Sequence, residues 1–293
     1  MHRLVAAALA VLVCATAFAN SEPAMLWVAE DDDNRVYLLG SIHLLREQDH
    51  PLPGIIDTVY EDADRLVMEL DMDEIDPLAL FRSLQARGIL QNGQTLESVM
   101  GEEMYAEALL AAEDADIPLN MFKTSEPWLA AMTVQEILMM RVGFKADRGI
   151  ELTLTARAVA DGKPIDGLET VDEQLGFLDG LSLETQNRWL LYSMVEARRI
   201  EMMVDDIVAA WRRGDTGFLE KELLADMNNY PEMHEAVLVQ RNVRWVAQIL
   251  DMLDGDEDVL VVVGAAHLVG EDGVPDLLSA KGVRIKQLHE SVR

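Results

Sequence analysis

Cysteine is nearly absent: the chain holds one, Cys14, inside an apolar N-terminal leader. Removing that leader leaves no thiol, no disulfide and no cysteine metal ligand. Basic residues are scarce as well. Only 24 Lys and Arg stand against 53 Asp and Glu, for a formal charge of −29. Such a surface repels nucleic-acid phosphates and anionic lipid, which excludes both as partners. Aromatics make up 5% of the residues, whereas methionines number 16. A core of Leu, Val, Ala and Met follows, somewhat adaptable in its packing. Beyond the leader, no apolar run is long enough to span a membrane. There is no P-loop, no Gly-x-Gly-x-x-Gly after a strand, no Gly-x-Ser-x-Gly elbow and no His-Glu-x-x-His helix. Ser41 lies between Gly40 and His43, but nothing in its surroundings marks it as a nucleophile.

Residues 1–19 read as a secretory signal peptide. His2 and Arg3 form a short basic start, 4–16 an apolar stretch, and Ala17-Phe18-Ala19 a small-x-small cleavage site. The expected product, 20–293, is an exported single domain without stable membrane insertion. It is periplasmic in a Gram-negative host and secreted otherwise. With 293 residues, 50% of them hydrophobic, the chain can bury one large core or two small ones.

Patterning predicts an α/β fold with a largely helical middle. Short strands are expected at 25–29 and 36–39, joined as a hairpin through Asp31-Asp32-Asp33-Asn34. A helix is expected at 54–63 and a buried strand at Arg65–Leu70. From about 76 to 247, apolar residues recur at intervals of three and four, which predicts a helical insertion. Only a short strand near 164–166 interrupts it. The end returns to α/β character: an apolar run at 258–263, a helix at Val274–Ala280 and a last strand at 283–288.

The two ends repeat one unit. YLLGSIHLL begins at Tyr37 and VVVGAAHLVG at Val261. Each is an apolar strand, then Gly-x-x-His, a loop, a helix and another strand. The glycine permits a sharp turn or a close approach. The histidine then stands at the strand's carboxyl edge, where open α/β sheets bind ligands. A central mixed sheet built from both units could aim His43 and His267 at one cleft. Imidazole is the commonest metal ligand and the usual proton carrier near neutral pH. Glu69, the acid that ends the strand RLVMEL, could complete a His/Glu metal set.

LLGSIHLL, GLETVDEQ at 167–174, Arg241-Asn242 and VVVGAAHLVGEDGVPDLL together resemble the TraB/GumN family over about residues 25–290. The resemblance implies a fold related to the erythromycin-esterase and ChaN-like group. It also implies kinship with the Tiki proteins, described as manganese- or cobalt-dependent proteases in which paired Gly-x-x-His motifs and an acid form the active site. Family membership supports a site more strongly than a reaction. The resemblance marks Glu169 as a metal ligand or general base, and Arg241 as a group that holds a substrate carboxylate or steadies a site acid. The family pattern at 149–151 is Gly-Ile-Asp, and here it is Gly149-Ile150-Glu151, whose longer acid shifts the charge outward.

The leading expectation is a peptidase-like hydrolase with a divalent ion (manganese or cobalt, with zinc as another option). His43, His267, Glu69 and Glu169 would hold it, and Glu69, Glu169 and Arg241 would assist catalysis on a peptide or small molecule. Two alternatives stand beside it: a non-catalytic binding protein, and a metal-independent esterase with His43 or His267 as base. His50 lies near His43 in sequence, while His234 and His289 read as surface groups. Neither His50 nor Glu151 is assigned to the site.

Overall fold

The computed structural model describes residues 23–225, 227 and 230–289. The expected signal peptide and its cleavage site lie outside the described residues.

Six strands form one mixed sheet: β1 (Leu26–Glu30), β2 (Arg35–Ser41), β3 (Arg65–Leu70), β4 (Ile165–Glu169), β5 (Val259–Gly264) and β6 (Arg284–Gln287). Their order is β4-β3-β5-β2-β1-β6. β1 and β2 form the expected hairpin, with Leu26 opposite Leu39. Asp31 Oδ1 closes its turn by accepting the N–H groups of Asp33 and Asn34. β2, β5, β3 and β4 run parallel. The central strands are covered on both faces, so they read as continuous apolar runs.

The two repeat units interlock. From β2 the chain passes through helix α1 (Gly54–Asp62) to β3, and β5 fills the place between those strands. β5 continues into a helix, Val274–Ala280, and then into β6, which pairs antiparallel with β1 at the far edge. The Gly-x-x-His strands β2 and β5 are therefore neighbours at the sheet's centre. Gly40 lies opposite Val263, and Ser41 opposite Gly264. Both motifs leave the same carboxyl edge.

The middle is helical in two blocks rather than one, because β4 adds a sheet edge between them. Before β4 come α2 (Pro77–Arg87), α3 (Leu96–Met100), α4 (Glu102–Asp114), α5 (Pro127–Arg141) and α6 (Ile150–Asp161). After it come α7 (Val171–Asp179), α8 (Leu183–Val195), α9 (Ala197–Arg213), α10 (Thr216–Leu224), α11 (Pro231–His234) and α12 (Gln240–Leu253). The Val274–Ala280 helix is α13. The strand expected near 164–166 runs on to Glu169. Its Gly167 is there for close packing, since a Cβ would lie 2.6 Å from the Asp71 backbone nitrogen.

Two apolar clusters result. One surrounds the sheet and includes Trp211 and Trp245. The other lies among α3, α4, α5 and α8, around Leu96, Val134, Leu138 and Leu190. Among the described residues no helix is long and apolar enough to cross a membrane.

Candidate functional site

The site grows from the carboxyl ends of β2, β5 and β3. Gly264, the last residue of β5, donates its N–H to Glu69 Oε1 at 2.7 Å. A Cβ on Gly264 would stand 3.2 Å from Glu69 Oε1, 3.6 Å from His267 Cδ2 and 3.7 Å from His43 Nε2. The missing side chain thus leaves room where the two histidines and Glu69 meet. Gly40, the equivalent glycine, is needed for packing instead: a Cβ there would press on Met25 Sδ at 2.8 Å.

His43 is held from behind by the start of α6. Ile150 donates its N–H to the Ile42 carbonyl at 3.2 Å. Gly149 lies so close that a Cβ would stand 2.0 Å from the His43 carbonyl oxygen. This clamp brings buried Glu151 under the ring, with Oε1 2.6 Å from His43 Nδ1. Ser41 Oγ donates to the same oxygen at 2.5 Å. Nδ1 faces the carboxylate, so the ring carries a proton there. Glu151, and behind it Glu69, raise the His43 pKa to about 9 against the opposing effect of desolvation. Burial alone would raise the Glu151 carboxyl, but His43 and Ser41 hold it below its usual value. The His43 side chain is 62% exposed, and its Nε2 is the open end of this dyad.

His267 is treated differently. Asn242 donates from Nδ2 to the Asp272 carbonyl at 2.7 Å, so its Oδ1 faces His267 Nδ1 at 2.6 Å. An amide oxygen only accepts, so Nδ1 of His267 carries the proton and Nε2 is left with a lone pair. Arg241 Nη1 donates to that lone pair at 3.1 Å. Burial, then the neighbouring Arg241 and His43 charges, push the His267 pKa down to about 3 despite Glu69. One motif therefore presents a charged imidazole and its repeat a neutral one.

Arg241 organises the remaining polar groups. A single π turn (Glu235–Val239) precedes α12, and its Val237 carbonyl accepts from Arg241 Nη1 at 3.2 Å. Nη2 donates to Glu69 Oε2 at 2.6 Å, and Nε to both Glu169 oxygens at 3.1 and 3.0 Å. Trp245 lies under the guanidinium, 4.7 Å from its ring centroid, and also packs on His267. Gln174 Nε2 donates to Glu69 Oε2 at 3.0 Å, and Arg244 Nη2 to Glu169 Oε1 at 2.7 Å. Burial would raise the Glu69 carboxyl. The Arg241 and His43 charges, with the Gly264 N–H, instead hold it below its usual value. Burying such charges is tolerable only because each is paired.

Few of these donors are free for the expected divalent ion. Glu169 is spent on Arg241 and Arg244. Glu69 Oε2 and His267 Nε2 are both filled by Arg241, which leaves His43 Nε2 and Glu69 Oε1 facing the open space. Among the described residues no three His, Cys, Asp or Glu side chains are grouped as a metal ion needs. In this arrangement the residues do not fit a metal, because Arg241 occupies the donors.

A sequence model of the TraB/PrgY/gumN family matches residues 25–287. The chain belongs to the TraB/PrgY/gumN family. A protein described as uncharacterized, YbaP of Escherichia coli (strain K12), is 27% identical over 251 residues, 83% of this chain and 87% of YbaP. YbaP of Shigella flexneri gives the same values. An uncharacterized protein of Treponema pallidum (strain Nichols) is 25% identical over 166 residues, covering 55% of this chain and 48% of its own. No solved structure matches.

In this TraB/PrgY/gumN chain, His43, His267, Glu69, Glu169 and Arg241 all gather at one sheet edge. Arg241 steadies the acids Glu69 and Glu169, one of the two parts expected of it. Glu169 is an anchor for two arginines, and Arg241 is a buried hub. Glu151 joins the site although it was not assigned to it, and so do Asn242, Gln174 and Arg244. The resemblance had singled out Glu151 as a departure from the family pattern, and had marked Asn242 and Gln174 only through the segments that contain them. His50 lies outside: its Nε2 bonds the Arg148 carbonyl at 2.9 Å. His289 is exposed. His234, 3.8 Å from Asp272, lines a cavity of about 660 Å³ that shares Asn242 with the site.

Proposed function

We propose that the protein is a hydrolase whose reaction space lies over Gly264, with His43 Nε2 as the proton-transfer atom. The observation that carries this reading is the His43–Glu151 dyad. One nitrogen is bonded to a buried carboxylate at 2.6 Å and the other faces open space. A neutral His43 takes a proton from an attacking water at Nε2, Glu151 steadies the imidazolium, and the proton passes on to the leaving group. His267, neutral and bonded, keeps Arg241 in place and leaves proton transfer to His43. The substrate class is a peptide or a small amide or ester, met outside the cytoplasm if the leader is cleaved as its sequence suggests.

A second reading, a divalent-metal hydrolase, has one observation in its favour. Both imidazoles have Nδ1 held by an oxygen acceptor, as metal-ligating histidines do. It requires Arg241 to withdraw from His267 Nε2 and Glu69.

The test is a peptide and ester hydrolysis screen with and without a chelator, on wild type, His43→Ala and Glu151→Gln. Activity that survives chelation and falls about 10²- to 10⁴-fold in His43→Ala supports the first reading. Activity lost to the chelator and restored by manganese, cobalt or zinc moves the assignment to the second. No turnover, together with peptide-dependent thermal stabilisation, makes the protein a binder.

A further inference from the structure

The Arg241 guanidinium is engaged at all three of its nitrogens. Nε donates to both Glu169 oxygens at 3.1 and 3.0 Å. Nη2 donates to Glu69 Oε2 at 2.6 Å and lies 2.9 Å from Glu169 Oε2. Nη1 donates to His267 Nε2 at 3.1 Å and to the Val237 carbonyl at 3.2 Å. A guanidinium carries its N–H donors in a rigid planar fork, and each nitrogen of this one finds an acceptor. The rings of Trp245 and Phe177 lie with their centroids 4.7 and 5.8 Å from its central carbon. An aromatic face attracts such a cation. The side chain is 6% exposed, so the fit is made by protein groups rather than by solvent.

These contacts make a receptor for a flat cation. A metal ion draws its ligands onto one point at about 2.0–2.3 Å. Here the acceptors are strung along the edge of a fork. Among the described residues no three His, Cys, Asp or Glu side chains converge as ligands. The charges are also matched already: Arg241 and Arg244 face Glu69 and Glu169, and His267 is neutral. A divalent ion added among them would be an unpaired buried charge, which is costly. Arg241 cannot make room by losing its proton. Its withdrawal would strip buried Glu69 of its ion pair, which is strongly destabilising.

We infer that Arg241 is the resident cation of this site, a positioning residue that takes the place of a metal ion. By holding Glu69 Oε2 it leaves Oε1, fixed by the Gly264 N–H, as the oxygen that faces the reaction space. By filling His267 Nε2 it keeps that ring out of proton transfer. The receptor stands on these contacts alone. Only its effect on turnover rests on the hydrolase reading.

The experiment removes the side chain and supplies its head group in solution. Wild type, His267→Ala, Arg241→Ala and Arg241→Ala/Glu169→Gln are titrated with methylguanidinium, methylammonium and manganese chlorides at constant ionic strength. Melting temperature is followed throughout, and kcat where the screen has found a substrate. Methylguanidinium should raise the melting temperature of Arg241→Ala saturably, with an affinity about tenfold or more above that of methylammonium. It should restore kcat, leave wild type unmoved and lose its effect in the double variant. Three results overturn the inference: manganese that stabilises wild type but not His267→Ala, manganese that displaces methylguanidinium from Arg241→Ala, or a folded Arg241→Ala that does not respond to methylguanidinium. Should Arg241→Ala not fold alone, recovery on refolding with methylguanidinium upholds the inference and recovery with manganese only overturns it. If neither recovers it, the wild-type manganese arm decides. Stability rescued without turnover keeps the resident cation and removes the hydrolase reading. Metal-free turnover beside a folded Arg241→Ala unmoved by methylguanidinium does the reverse.

Discussion

His43 and His267 hold the same position in the same motif, and the residue behind each ring sets its charge. Glu151 can only accept, and its negative charge favours imidazolium on His43. Asn242 also accepts but adds no charge, and Arg241 on the far nitrogen keeps His267 neutral. Environments that drive two like groups apart mark the division of acid and base roles. His43 should therefore titrate near 9 by NMR and fall back toward 6.5 in Glu151→Gln. The sign follows from linkage: a folded-state pKa above the ordinary value adds stability below about pH 6.5 and loses it as pH rises through about 9. For a general base the same shift makes hydrolysis climb with pH up to that value, and the climb should move to lower pH in Glu151→Gln. A His43 that titrates near 6.5 in wild type would sink the dyad. Gly264 gives a second test at this scale. A methyl there meets its neighbours at 3.2 to 3.7 Å, so Gly264→Ala should fold with a melting temperature near wild type and lose activity. Retained turnover would place the reaction elsewhere.

At the scale of elements, the site depends on two interlocked β-α-β units and on one helix that clamps the first of them. The hairpin, the central strands and the helical periodicity were legible in the sequence, because long buried runs and amphipathic stripes repeat one signal many times. β4 was only half legible. Asp166 and Gly167 break its apolar pattern, and the glycine answers to a close approach by β3. The clamp on His43 was not legible at all. Gly149 and His43 lie far apart in sequence, and their contact follows from how α6 docks. Gly149→Ala should force that docking open, since its methyl would overlap the His43 carbonyl. We expect a loss of roughly 1–3 kcal/mol in urea unfolding, as for other overpacked sites, together with a lowered His43 pKa. An unchanged pKa would show that Glu151 reaches His43 without the clamp.

For the whole molecule, the excess of acid is the dominant long-range term. Self-repulsion at −29 opposes compaction, and salt shortens its range from about 30 Å at 0.01 M to about 3 Å at 1 M. The melting temperature should therefore rise as sodium chloride is added at neutral pH. A flat or falling curve would mean that local ion pairs outweigh the net charge. Composition, the repeat and the strand order at each end were set by the sequence alone, because burial and periodicity are local properties that a chain carries wherever it folds. Only the tertiary structure decided that β2 and β5 lie side by side, that Arg241 takes the donors of Glu69, Glu169 and His267, and that Glu151 and Asn242 split one motif into two charge states. Those outcomes depend on which distant groups share a low-dielectric space, where a few ångströms choose the partner of every buried charge.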